Sequence, residues 1–143
     1  MKRNCRLFDL SDFIKENPEL SNTNVEIWID DDNCADILDV IFEKDATKKY
    51  IRRNKFKTIL LIALTNRYDE DLYDRENVSE KAYDVTSMKF KGQGNYRIPC
   101  KEFKSNGKKI VMICCVTKKT QKNNKKMKTI YETVGGYEYE FKR

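Results

Sequence analysis

The chain is expected to be an α+β domain: a small antiparallel sheet of about four strands, with helices packed on one face. Three observations carry that expectation. Residues 96–101 alternate, with Tyr96, Ile98 and Cys100 on one face and Arg97 and Lys101 on the other, as in a half-buried strand. Residues 110–116 are apolar on both faces and read as a central strand. Two further stretches place apolar residues at helical spacing: Phe56, Ile59, Leu60, Ala63 and Leu64, and later Met127, Ile130, Tyr131 and Val134.

In chain order, residues 1–24 read as an N-terminal arm or short helix, with Ser11 as its cap and Pro18 beyond its end. Residues 25–143 read as a single domain. Val25 to Ile29 alternates as a first strand, and Asp30-Asp31-Asp32-Asn33 offers caps for a helix through Ile37, Leu38, Ile41 and Phe42. Three adjacent aspartates also suggest a metal loop, but a helix start favours negative charge and no spaced partner ligand follows, so no metal is assigned. A second helix is expected over residues 47–66, and residues 69–84 read as an acidic loop or short helix. Val85 to Phe90 is the next strand, and the Ser105-Asn106-Gly107 turn reverses the chain between the two strands that follow. A helix over residues 120–134 stops at Gly135-Gly136, and Tyr137, Tyr139 and Phe141 form a last short strand or an arm.

Sixteen aromatics among 143 residues argue for a folded chain despite a charged share of 36%. No apolar run has the length of a membrane span and no signal-type core follows Met1, so a cytoplasmic protein is expected. Five cysteines, odd in number and without a Cys-x-x-Cys pair, fit a reducing compartment, and the absence of histidine excludes a Cys-His nucleophile. No cofactor is implied. Charge is split along the chain. Residues 1–87 hold 14 basic and 19 acidic side chains, whereas residues 88–143 hold 15 and 4. The basic half implies an anionic partner, most simply nucleic acid, against the plainer reading of a solvated lysine surface.

An RNA 2′-hydroxyl can attack the neighbouring phosphate without metal if cations stabilise the developing charge and a group moves the proton. Arg97 suits the first task, because a guanidinium grips two phosphate oxygens at once. Lys118 and Lys119, where the central strand ends, and Lys89 and Lys91 on the preceding strand could share its groove. Lys101, Lys122, Lys125 and Lys126 extend the basic surface as RNA-binding candidates. The structural alternatives are an exposed Arg97 paired with Glu102, and lysines at a wet strand end.

A strand ending in Lys-Phe-Lys, a Gly-x-Tyr-Arg-Ile strand, a short turn, a long apolar strand and then Lys-Lys-Thr-Gln-Lys occur here in that order, roughly over residues 85–126. This order resembles the RelE/ParE toxin superfamily, toxins of bacterial toxin-antitoxin pairs. The resemblance implies a RelE-like fold and cleavage of messenger RNA on the ribosome by Arg, Lys and Tyr without metal. It also implies a cognate antitoxin protein as partner. By the same resemblance Arg97, Lys118 and Lys119 match the family's basic catalytic positions, and Tyr137 or Tyr131 fills its C-terminal tyrosine. The alternative within the superfamily is a non-catalytic binding protein, either a ParE-like topoisomerase inhibitor or a nucleic-acid-binding module.

Overall fold

The structure is a computed structural model and describes residues 2–42, 46–92, 94–119 and 124–141. Eight strands form one sheet: β1 (Arg3–Leu7), β2 (Val25–Asp30), β3 (Tyr73–Arg75), β4 (Val85–Phe90), β5 (Tyr96–Ser105), β6 (Lys108–Ile113), β7 (Thr117–Lys118) and β8 (Tyr139–Glu140). Their order across the sheet is β3-β4-β5-β6-β2-β1-β8, and β7 pairs with the start of β5. The helices are α1 (Ser11–Glu16), α2 (Cys34–Ile41), α3 (Ala46–Leu64) and α4 (Asn124–Gly135).

The α+β content agrees with the sequence reading, but the expected sheet does not. In place of about four antiparallel strands there are eight in a mixed sheet, because β2 pairs in parallel with β6 and β1 in parallel with β8. Helices also cover both faces. Side chains of α2 and α3 pack with Ile27, Met88, Ile98, Val111 and Ile113 on one side. Met127, Tyr131 and Val134 of α4 pack with Trp28, Val85, Ile110 and Met112 on the other. The physical reason lies in β6: Ile110, Val111, Met112 and Ile113 are all fully buried, and a strand apolar on both faces needs a layer on each.

The meander of β4, β5 and β6 is antiparallel, as the alternation and the turn dictate. Asn106 and Gly107 both have positive φ, 52° and 76°, which closes a two-residue hairpin with Ser105 opposite Lys108. Helix α3 ends where Asn66 turns left-handed at φ 60°. The Arg67 amide bonds the Ile62 carbonyl and the Asn66 amide the Ala63 carbonyl, satisfying two of the helix's last carbonyls. Thr23 then donates to the Leu64 carbonyl at 2.7 Å, tying this helix end to the entry of β2. Residues 1–24 contribute β1, which lies between β2 and β8, and α1. Among the described residues no helix is long and apolar enough to cross a membrane.

Candidate functional site

Along β5, Tyr96, Ile98 and Cys100 turn toward the α3 layer, so Arg97 turns toward α4. Its cross-strand neighbours are Lys89 of β4 and Thr117 of β7. Arg97 is only 6% exposed. Among the described residues its one hydrogen bond runs from Nη1 to the Tyr96 carbonyl at 3.2 Å, and no carboxylate lies within 4.0 Å of it. The sequence-level alternative, pairing with Glu102, fails on strand geometry. Glu102 projects to the other face and accepts from the hydroxyls of Tyr68, at 2.6 Å, and Tyr73. A guanidinium remains charged and carries five donors, so Arg97 has donor capacity beyond its one bond to the Tyr96 carbonyl.

Tyr131 of α4 enters the same environment. Burial and the charge of Glu76 push its phenol well above the ordinary value, while the Ser87 hydroxyl and the Arg97 charge act in the opposite direction. Such a phenol keeps its proton, so it can donate a hydrogen bond but is a poor base.

On the opposite face at this end of the sheet, two cations attend the ring of Tyr96. The Arg52 guanidinium carbon, from α3, is 4.8 Å from the ring centroid, and the Lys118 amine, from β7, is 4.9 Å away. Gly94 makes this possible: its φ is +88°, and a Cβ there would stand 2.7 Å from the Tyr96 ring. Lys119 is exposed, and its amide bonds the Asn95 carbonyl at 3.0 Å, which pins the basic segment to the start of β5.

The rim is completed from β4 and α3. The Lys89 amine donates to the Glu70 carbonyl at 2.8 Å, and Lys91 pairs with Asp71 at 3.0 Å. Lys55 donates to the Lys91 carbonyl at 3.1 Å. Burial, then the charges of Arg97 and Lys91, hold the Lys55 amine below the ordinary lysine pKa, with Asp71 acting the other way.

The structure therefore brings Arg97, Lys89, Lys91, Lys118 and Lys119 to one end of the β4-β5-β7 ladder, but places Arg97 and Lys118 on different faces of it. Other sequence-predicted residues lie apart. Tyr137 stacks against Arg3, whose guanidinium carbon is 4.2 Å from its ring, and burial raises its pKa. Arg3 in turn grips the fully buried Asp30 at 2.6 and 3.2 Å, and Asp30 also accepts from Tyr139 at 2.7 Å and from the Asn33 amide at 3.1 Å. Asp30 is thus an internal anchor for three segments. Lys101 donates to the Tyr137 carbonyl and lies 3.7 Å from Asp84, a structural contact rather than a free cation. Lys125 and Lys126 are exposed on α4, and Lys122 lies outside the described residues.

Sequence reading left Arg52 and Lys55, one helical turn apart, among basic residues of α3 that either form a solvated face or border an RNA groove, and Tyr96, read as core, does pack against the main hydrophobic cluster. A pair of basic residues three apart on a helix with a buried stripe was the available signal, but which strand that face overlies is a tertiary fact. Comparisons with protein-family models, with curated proteins and with solved structures find no match for this chain.

Proposed function

We propose that this protein binds the phosphodiester backbone of RNA at the end of the β4-β5-β7 ladder and cleaves it without a metal ion. In this reading it is the toxin of a toxin-antitoxin pair, acting on messenger RNA at the ribosome and neutralised by a cognate antitoxin. The observation that carries the reading is the buried Arg97 guanidinium, without a carboxylate within 4.0 Å among the described residues, beside a rim of lysines. A phosphorane-like transition state carries more negative charge on its oxygens than the ground state, so a fixed guanidinium stabilises it preferentially. The 2′-oxygen forms a bond to phosphorus, the bond to the 5′-oxygen breaks, and the products are a 2′,3′-cyclic phosphate and a 5′-hydroxyl. Lys89, Lys118 and Lys119 hold flanking phosphates, and Tyr131 replaces Tyr137 as the tyrosine on Arg97's face.

One observation favours the binding-module alternative. With Arg97 only 6% exposed, a polyanion could rest on the lysines without reaching it. Single-turnover cleavage of RNA at saturating protein, measured beside RNA binding, separates the two. Arg97→Ala is expected to slow cleavage by about 100- to 1000-fold, as loss of an oxyanion donor does, with binding little changed. Arg97→Lys keeps the charge and loses the fork, and should recover little. Equal rates for wild type and Arg97→Ala would leave the binding module as the function.

A further inference from the structure

We propose that the cavity between the middle of β5 and the segment leading into β8 takes a guanine base. Its volume is about 490 Å³, and Lys2, Asp84, Lys101, Phe103, Tyr137 and Glu138 line it. That size falls within the roughly 300–1,000 Å³ of small-molecule sites. Asp84 is only 8% exposed, yet the fold leaves its carboxylate short of donors. Oδ1 is buried with no hydrogen-bond partner among the described residues, and Oδ2 has the Lys101 amine at 3.7 Å. A buried carboxylate ordinarily accepts hydrogen bonds, and one left without them is costly unless a ligand supplies them. The Lys101 amine is itself held in place by the Tyr137 carbonyl, a contact that uses one of its three donors.

The wall balances its charges, Asp84 and Glu138 against Lys2 and Lys101, so neither a phosphate nor a cationic side chain meets a wall of opposite sign. A neutral ring with a mixed polar edge suits it better. The two oxygens of a carboxylate match two adjacent donors, and among the four RNA bases guanine alone carries them, as N1–H beside the N2 amino group. The last torsion of an aspartate is broad, so a small turn of the carboxylate presents both oxygens to that edge. Guanine O6, next along the edge, then faces a donor, and Lys101 beside Asp84 supplies one. Phe103 and Tyr137, both half-buried, offer rings for the base to stack on, as unpaired bases do on aromatic side chains. Alternation places Lys101 on the face of β5 that carries Arg97, four residues on and so about 13 Å along the strand. That the guanine belongs to RNA rests on the reading above, whereas a free guanine nucleotide meets the same wall.

Calorimetric titration of the full chain with guanosine, inosine and adenosine monophosphates tests the edge directly, because inosine differs from guanosine only in lacking the N2 amino group. Guanosine monophosphate is expected to bind about 10- to 100-fold more tightly than inosine monophosphate, the scale of one bidentate base contact, and Asp84→Asn should bring the two within about twofold. Independently of any variant's folding, the isotope-labelled Phe103 ring of the wild-type protein should shift by NMR on adding guanosine monophosphate and not on adding adenosine monophosphate. A uridine-tract oligoribonucleotide holding one guanosine identifies the source. Affinity about tenfold or more above that of the nucleotide, lost when inosine replaces the guanosine, supports RNA, and equal affinity supports a free nucleotide. Equal guanosine and inosine affinities in the wild type, a Phe103 ring that guanosine monophosphate leaves unmoved, or a folded Asp84→Asn that still prefers guanosine overturns the guanine pocket. RNA bound and cut without preference for guanosine overturns it too, and leaves the endoribonuclease reading standing. A guanosine preference in a protein that never cleaves RNA overturns that reading and leaves the pocket.

Discussion

Arg97 is a permanent charge held inside a small protein, and a site of that kind is costly to the fold that carries it. Replacing it with an apolar side chain of similar length removes the cost of burial without stranding a partner carboxylate, since none lies within reach among the described residues. Arg97→Met is therefore expected to raise stability or leave it unchanged, by an amount on the order of 1 kcal/mol, as read from the urea midpoint, while slowing the proposed cleavage as Arg97→Ala does. A marked loss of stability would mean that Arg97 serves the fold. Other buried groups set the response to alkali. Burial raises the thiols of Cys5 and Cys115 from 9.0 to about 11, and burial with the Glu102 contact raises Tyr68 from 10.0 to about 12. Each group binds its proton more tightly folded than unfolded, so each contribution is complete below the unfolded value and is lost as pH rises through the folded one. Denaturation midpoints should hold up to about pH 9 and fall steadily toward pH 11 to 12, the window these shifts define.

At the level of elements, α4 decides how closed Arg97's face is, and its fit depends on one position. Gly135 lies against the turn Glu80–Ala82, where an added Cβ would meet the Lys81 carbonyl oxygen at 1.9 Å. Backbone cannot yield as a side-chain tip can, so Gly135→Ala should displace the end of α4 and cost about 1–3 kcal/mol, the usual penalty for overpacking. Chemical denaturation measures the loss, and a variant as stable as wild type would show that this contact is dispensable. The elements that carry long periodic signals were legible in the sequence. The α3 stripe of Phe56, Ile59, Leu60, Ala63 and Leu64 is buried throughout, β4 spans Val85–Phe90 as expected, and Asn106-Gly107 closes the hairpin. Strands β1, β3 and β7 were not, because two to five residues with charged side chains give no period to detect, whereas β8 falls in the tail read as a last short strand or an arm. The parallel pairing of β2 with β6 was equally hidden, since it depends on how the intervening helices cross the sheet. For the site, Arg97 and the lysines beside it followed from strand alternation. Lys55 and Arg52 needed the packing of α3, and Tyr131 needed the packing of α4 on the far face.

For the molecule as a whole, the proposed binding of RNA carries a salt dependence set by the asymmetry of charge. The basic residues after position 87 outnumber acidic ones by 15 to 4, and those of α4 and the ladder end belong to this half. Plots of log affinity against log salt should be linear, with a slope of about −0.7 for each phosphate contacted on a single strand. Lys125→Ala, which removes an exposed cation from α4, should lower that slope by about one phosphate contact and leave saturated turnover unchanged. A slope unaltered by Lys125→Ala would place the RNA path away from α4.

The two ends of the described chain meet in one sheet, with Arg3 opposite Tyr139 and Asn4 opposite Glu140. Asp30 receives both ends at once, through Arg3 and Tyr139. Joining residues so distant costs about 4 kcal/mol in loop-closure entropy for a free chain, and much of that falls away once the meander between them is already formed. Contacts of this separation are expected to form after the folding barrier is crossed, and a φ-value near zero at Asp30 would check it. Stabilisation added there acts on the rate of opening and leaves the rate of formation nearly untouched. Asp30→Asn is then expected to shorten the lifetime of the folded protein and to leave the speed with which it is reached nearly unchanged.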